Sequence, residues 1–183
     1  MQRENIKAPA WHVSRWFNTE PLNLEDLKGR VIALHTFQML CPGCVSHGIP
    51  QAQKIRACFR EQDVAVIGLH TVFEHHEAMS PTSLEAFLHE YGIQFPVGVD
   101  EPGTDGPIPK TMAAYGLRGT PSLVLIDRDG FLREHLFGQT EDIAVGALIA
   151  RLAGEATSSM QNVRDVQTQP AVAGECDERG CNR

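Results

Sequence analysis

Apolar runs and helical stripes alternate along this chain. Val31 to Met39 (VIALHTFQM) is mostly apolar, rich in β-formers and preceded by the turn-like Lys28-Gly29-Arg30, which predicts a strand buried on both faces. From Cys44 onward Ile49, Ala52, Ile55 and Phe59 recur three or four apart and predict a helix that Pro50 kinks. Val64 to His70 (VAVIGLH) is a second buried strand. Ser80-Pro81 supplies an N-cap and a first-turn proline for a helix presenting Leu84, Phe87, Leu88 and Tyr91. Gln94 to Val99 reads as a short extended piece, Pro109 to Tyr115 as a brief helix and Ser122 to Ile126 as a strand. Arg128-Asp129-Gly130 is a turn leading into a hairpin partner, Phe131 to Phe137. Thr140 is expected to cap a last helix, with Glu141 and Asp142 at its positive end and Ile143, Leu148, Ile149 and Leu152 buried. The alternation predicts an α/β domain, a central mixed sheet flanked by helices.

No Leu, Ile, Phe, Trp or Tyr follows Leu152. The folded unit is therefore expected over residues 8–154, with 155–183 as a flexible polar tail. Trp11, Trp16 and Phe17 are expected to pack an N-terminal segment onto the domain. With 183 residues, 42% hydrophobic and 21% charged, the chain suits one globular domain. A net charge of −7 argues against nucleic-acid and membrane-surface partners. No apolar run approaches the roughly 18 residues that span a bilayer. The first ten residues carry Arg3, Glu4 and Lys7 without an apolar stretch, so no secretory signal is expected and a cytoplasmic monomer is.

Four of the five cysteines form two close pairs, Cys41/Cys44 in C-P-G-C and Cys176/Cys181 in the tail. In a reducing compartment such cysteines point to catalysis or metal rather than structural disulfides. C-P-G-C directly follows the first long strand and opens a helix, where unpaired N–H groups and the positive dipole end favour a thiolate. The i, i+3 spacing lets the second thiol close on the first. Cys41 is thus the expected attacking thiol and Cys44 the resolving one, a redox-active disulfide that needs no cofactor. No Gly-rich phosphate loop occurs.

Leu24-Glu25-Asp26-Leu27-Lys28-Gly29-Arg30-Val31, Cys41-Pro42-Gly43-Cys44, Gly119-Thr120-Pro121 and Leu125-Ile126-Asp127-Arg128-Asp129-Gly130 together resemble the thioredoxin-fold redoxins, especially the TlpA-like and AhpC/TSA-type thiol–disulfide oxidoreductases. The resemblance covers about residues 10–153. It implies a thioredoxin-like three-layer fold with an extra βα insertion, roughly residues 64–95. It also implies protein disulfides as substrates, a dithiol as reductant, and exchange of disulfides as the activity. Pro121 is then expected to be cis against the C-P-G-C. Thr120, Pro121, Pro42 and Gly43 would form the surface that meets substrate. The chain departs from thioredoxins at Leu40, where Trp is usual, and at His35, where a buried Asp or Asn is common.

Several residues admit two readings. His35 either relays a proton for Cys44 or is a hydrogen-bonded core histidine. Glu74 and His75, past the carboxyl end of the second strand, either line the cleft as acid or base or belong to a solvated loop. Cys176 and Cys181 form either an electron shuttle or an incidental pair, and Cys58 is expected to be a small buried hydrophobe. A thiol peroxidase is the nearest rival activity, but Gln38 stands three before Cys41, where peroxiredoxins need Thr or Ser. A Cu or Zn site from Cys41, Cys44 and His47 is the other alternative, and it lacks a fourth ligand.

Overall fold

The computed structural model describes residues 6–157. Cys176 and Cys181 lie outside the described residues. Six strands form one sheet: β1 (Val13–Phe17), β2 (Val31–Phe37), β3 (Val64–His70), β4 (Val97–Asp100), β5 (Ser122–Ile126) and β6 (Leu132–Phe137), in the order β1-β4-β3-β2-β5-β6. β2 pairs parallel with β3 and β3 with β4, whereas β1, β5 and β6 join antiparallel. This is the expected mixed sheet. The central strands β2, β3 and β5 are buried at every position, as their unbroken apolar runs require.

Residues alternate between two cores. On one face Val31, Ala33, Phe37, Val64, Val66, Leu123 and Leu125 pack against α1 (Ile49–Cys58), α2 (Pro81–Glu90) and α4 (Asp142–Gly154). On the other, Ile32, Leu34, Ile67, Val124 and Ile126 meet Met112 of α3 (Lys110–Ala114), Tyr115 and Leu27. Trp11 and Trp16 pack there as expected, and the Trp11 indole N–H donates to Tyr115 Oη at 3.0 Å. Ser80 caps α2 by accepting the Ser83 amide at 3.2 Å.

Four expectations need correction. The first strand ends at Phe37, because Gln38 turns its buried side chain to the Phe73 amide instead of continuing the ladder. Thr140 does not cap α4; its carbonyl accepts from Gln51, and the helix starts at Asp142. Ile143 is 88% exposed, and Val145 takes the buried place in the Val145, Ile149, Leu152 stripe. Ile143 stands two residues before Val145, about 200° around the helix, and so falls on the outer face. Cys58 is exposed rather than buried: it is the last residue of α1, at the helix end beyond the buried stripe of Ile49, Ala52 and Ile55.

Candidate active site

The site is built at the end of β2. A five-residue π-helical turn, Cys44–Gly48, precedes α1, and the Ile49 amide closes it on the Cys44 carbonyl. The next residue, Pro50, has no N–H to give, so the wide turn replaces the kink expected there. Cys41 and Cys44 are free thiols, the first half-buried and the second wholly buried. The Cys44 amide donates to Cys41 Sγ at 3.2 Å and to the Cys41 carbonyl at 3.0 Å. Cys41 Sγ donates in turn to the Thr120 carbonyl at 3.5 Å. Burial first, and then the hydrogen bond with Cys41, pushes the Cys44 thiol up to about 12. The two sulfurs therefore stand in unlike environments: one reachable and solvated by an amide, one buried and held protonated.

The Thr120–Pro121 bond is cis, and Pro121 lies on the π turn. A Cβ on Gly43 would come within 3.3 Å of Pro121 Cδ, and one on Gly48 within 3.1 Å of Pro121 Cβ. Both glycines thus let the turn approach the proline. Gly43 and Pro42 were legible in the C-P-G-C motif; Gly48 was not, because only the packing shows what it faces.

His35 lies on the same sheet face as Ala33 and Phe37, toward the cysteine turn. It is buried, and its Nε2 has no hydrogen-bond partner. Burial, helped by the nearby His47, lowers it to about 4 and keeps the imidazole neutral. His47 turns to the start of α4: its Nε2 lies 3.1 Å from the Thr140 carbonyl and 3.3 Å from the Thr140 amide. Among the described residues no group of three or more His, Cys, Asp or Glu is arranged to hold a metal.

Glu74 reaches the site only through Gln38, whose side-chain amide donates to it at 3.4 Å while the Gln38 carbonyl accepts the Cys41 amide. His75 is exposed at φ 50°, and its part is backbone: its carbonyl accepts the Ala78 and Met79 amides. A hollow of about 210 Å³, walled by Arg30, Arg56, Val64 and Phe95, lies at the far end of the sheet from the cysteines.

The sequence pattern of the AhpC/TSA family matches residues 5–135. ResA thiol–disulfide oxidoreductases of Bacillus thuringiensis and Bacillus anthracis are 27% identical over 128 residues, 69% of this chain and 66% of each relative. The chain thus spans just under two thirds of the length of these curated relatives. The crystal structure of a thioredoxin-like superfamily protein is 63% identical, with a TM-score of 0.81 over 83% of this chain and 99% of the other. A thiol–disulfide isomerase from Corynebacterium glutamicum is 51% identical, with a TM-score of 0.78 over 81% and 98%. The match over residues 5–135, carried by a thioredoxin-like sheet with paired cysteines at the end of β2, places the chain in the AhpC/TSA family of thioredoxin-fold redoxins.

Proposed function

We propose that the protein is a thiol–disulfide oxidoreductase that reduces disulfides of partner proteins through Cys41 and Cys44. The observation that carries this reading is the inequality of the two thiols. Cys41 is reachable, with an amide directed at its sulfur, whereas Cys44 is buried and pushed up to about 12. An attacking thiol needs access and thiolate stabilisation; a resolving thiol must stay silent until the mixed disulfide exists. The named activities of the ResA relatives and of the Corynebacterium isomerase support the same reaction class.

The steps balance without a cofactor. Cys41 thiolate attacks one sulfur of the partner disulfide, forming a mixed disulfide and releasing the other sulfur as thiolate. Cys44 then loses its proton and attacks Cys41 Sγ. That closes the Cys41–Cys44 disulfide, leaves the partner as a dithiol and oxidises the enzyme by two electrons. A dithiol reductant restores it by the reverse exchange. We assign His35 as a relay for the Cys44 proton, which passes on to the thiolate released from the partner and leaves the imidazole neutral, because His35 faces the turn and has an unpartnered ring nitrogen. Thr120, Pro121, Pro42 and Gly43 form the surface the partner chain meets.

Insulin-disulfide reduction with mass mapping of thiol states tests the assignment. Cys41→Ser should abolish reduction, and Cys44→Ser should accumulate a mixed disulfide on Cys41. Full activity in Cys41→Ser would overturn it.

A further inference from the structure

The turn that faces Cys41 carries a cation without a carboxylate. Arg118 is exposed, and its guanidinium lies over the Phe137 ring, 5.4 Å from the centroid. Among the described residues it has no carboxylate partner, a condition it shares with Lys7, Arg30, Arg56 and Arg128, whereas Arg15, Lys28, Lys54, Arg60, Lys110, Arg133 and Arg151 are each answered by one. Its position is fixed from below. A Cβ on Gly119 would lie 3.1 Å from the Phe137 ring, so the ring is seated on the Gly119-Thr120-Pro121 turn and the guanidinium on the ring. The Gly138 amide donates to the Pro121 carbonyl at 2.8 Å and pins the end of β6 to the same turn. Thr120, between Gly119 and Pro121, is the residue whose carbonyl takes the Cys41 thiol.

The two flanks of Cys41 differ in charge. On the Thr120 side stand the half-exposed Phe137 and Arg118; on the other, the 58% exposed Leu40 and Glu74, which is held by Gln38. Asp142 is already paired with Lys54 and Gln51, so it does not neutralise Arg118. His135, two residues before Phe137 on β6, is another titratable group near this flank, lowered first by its partial burial and then by the Arg118 charge. A partner segment crossing Cys41 therefore meets an aromatic-plus-cation flank and an aliphatic-plus-acid flank. Both offer apolar contact, and they are opposite in sign.

We propose that Arg118, carried on Phe137, selects disulfide partners whose reacting cysteine has a carboxylate close to it on the side that crosses the Gly119-Thr120-Pro121 turn. This rests on the reading of Cys41 as the exchanging thiol. The occupant is an extended protein segment, because a carboxylate beside the target sulfur must reach Arg118 while that sulfur reaches Cys41. A rim cation of this kind acts mainly on the association rate and is screened by salt.

The test uses the full chain with Cys44→Ser as the trap and synthetic disulfide peptides, uncharged except for one Asp or one Lys near the cysteine on either side. The measured quantity is the rate of mixed-disulfide formation on Cys41. For one of the two placements the Asp peptide should react faster than the Lys peptide, by about three- to tenfold at low salt, with the ratio shrinking as salt rises. Arg118→Glu should invert the ratio, and Arg118→Lys should keep its sign. Equal rates for Asp and Lys at both placements, or a ratio that Arg118→Glu leaves unchanged, would overturn the inference alone. Absence of any Cys41 adduct with all peptides would overturn the oxidoreductase reading, and this inference with it.

Discussion

The backbone amide of Cys44 points at the sulfur of Cys41 from 3.2 Å, while the thiol of Cys44 itself is wholly buried. One residue thus stabilises negative charge on its neighbour through its main chain and withholds its own sulfur. The order of events in exchange follows from that division: Cys41 first, Cys44 only after a mixed disulfide has formed. In alkylation at neutral pH, Cys41 should be modified at least about tenfold faster than Cys44 in the native protein. The difference should vanish in denaturant; equal native rates would contradict it.

His35 and His70 link stability to pH. Both are buried, both have ring nitrogens without partners, and burial lowers each to about 4 from the usual 6.5. The unfolded chain therefore takes up two protons near pH 6.5 that the folded chain refuses until about pH 4. Their contribution is intact above pH 6.5 and is lost as pH falls from 6.5 toward 4, up to about 3 kcal/mol for each histidine. Asp100, whose buried carboxyl is raised, works in the opposite sense and offsets part of the loss. Chemical denaturation at several pH values should show the fall, and His70→Leu should roughly halve its slope. A flat profile from pH 6.5 to 4.5 would contradict the burial argument.

His35 also has a kinetic signature. With His35→Ala, attack on the partner by Cys41 should be nearly unchanged, while the resolving step slows by about tenfold or more at neutral pH. Raising the pH toward 9 should narrow the gap as solvent hydroxide takes over. Rapid-quench analysis of mixed-disulfide lifetime reads this directly. A purely structural role would change Tm and leave that lifetime alone.

Gly48 separates two opposing effects. An alanine in a helical turn ordinarily stabilises by about 1 kcal/mol over glycine. Here its Cβ would stand 3.1 Å from the Pro121 ring, which cannot fold away as a flexible side chain would. Gly48→Ala should therefore gain no stability and should slow disulfide exchange by about two- to tenfold, because the ring is displaced by a few tenths of an ångström from Cys41. A stabilised variant with full activity would show that the contact is soft.

The outer and inner positions of α4 make a paired test of the fold. Ile149→Ala should cost about 2–5 kcal/mol, because its side chain is wholly buried. Ile143→Ala should stay within about 0.5 kcal/mol, because that residue is 88% exposed. Urea melts of the two variants read the difference.

Those two isoleucines also show where sequence reading stops. Local chemistry was legible: Ser80-Pro81 marks the start of α2 through its own hydroxyl and ring, and C-P-G-C announces itself by spacing after an apolar strand. The cis bond at Pro121 matches what the family resemblance implied. Tertiary choices were not legible. Ile143 and Val145 are both apolar and about 200° apart on the helix, and only the rotation of the helix against the sheet decides which one is buried. Cys58 has the composition of a core residue and the position of a helix end. Gly48 and Arg118 matter through residues far away in the chain, Pro121 and Phe137, whose proximity no local pattern encodes.

The most direct test of the whole account is the identity of the protein sulfur that carries a trapped partner. With Cys44→Ser and a disulfide-containing protein substrate, peptide mapping should find the partner's cysteine joined to Cys41 and to no other thiol, and Cys41→Ser should give no adduct. A partner joined instead to the exposed Cys58, or an equal yield of adduct in Cys41→Ser, would contradict the assignment of Cys41 as the exchanging thiol.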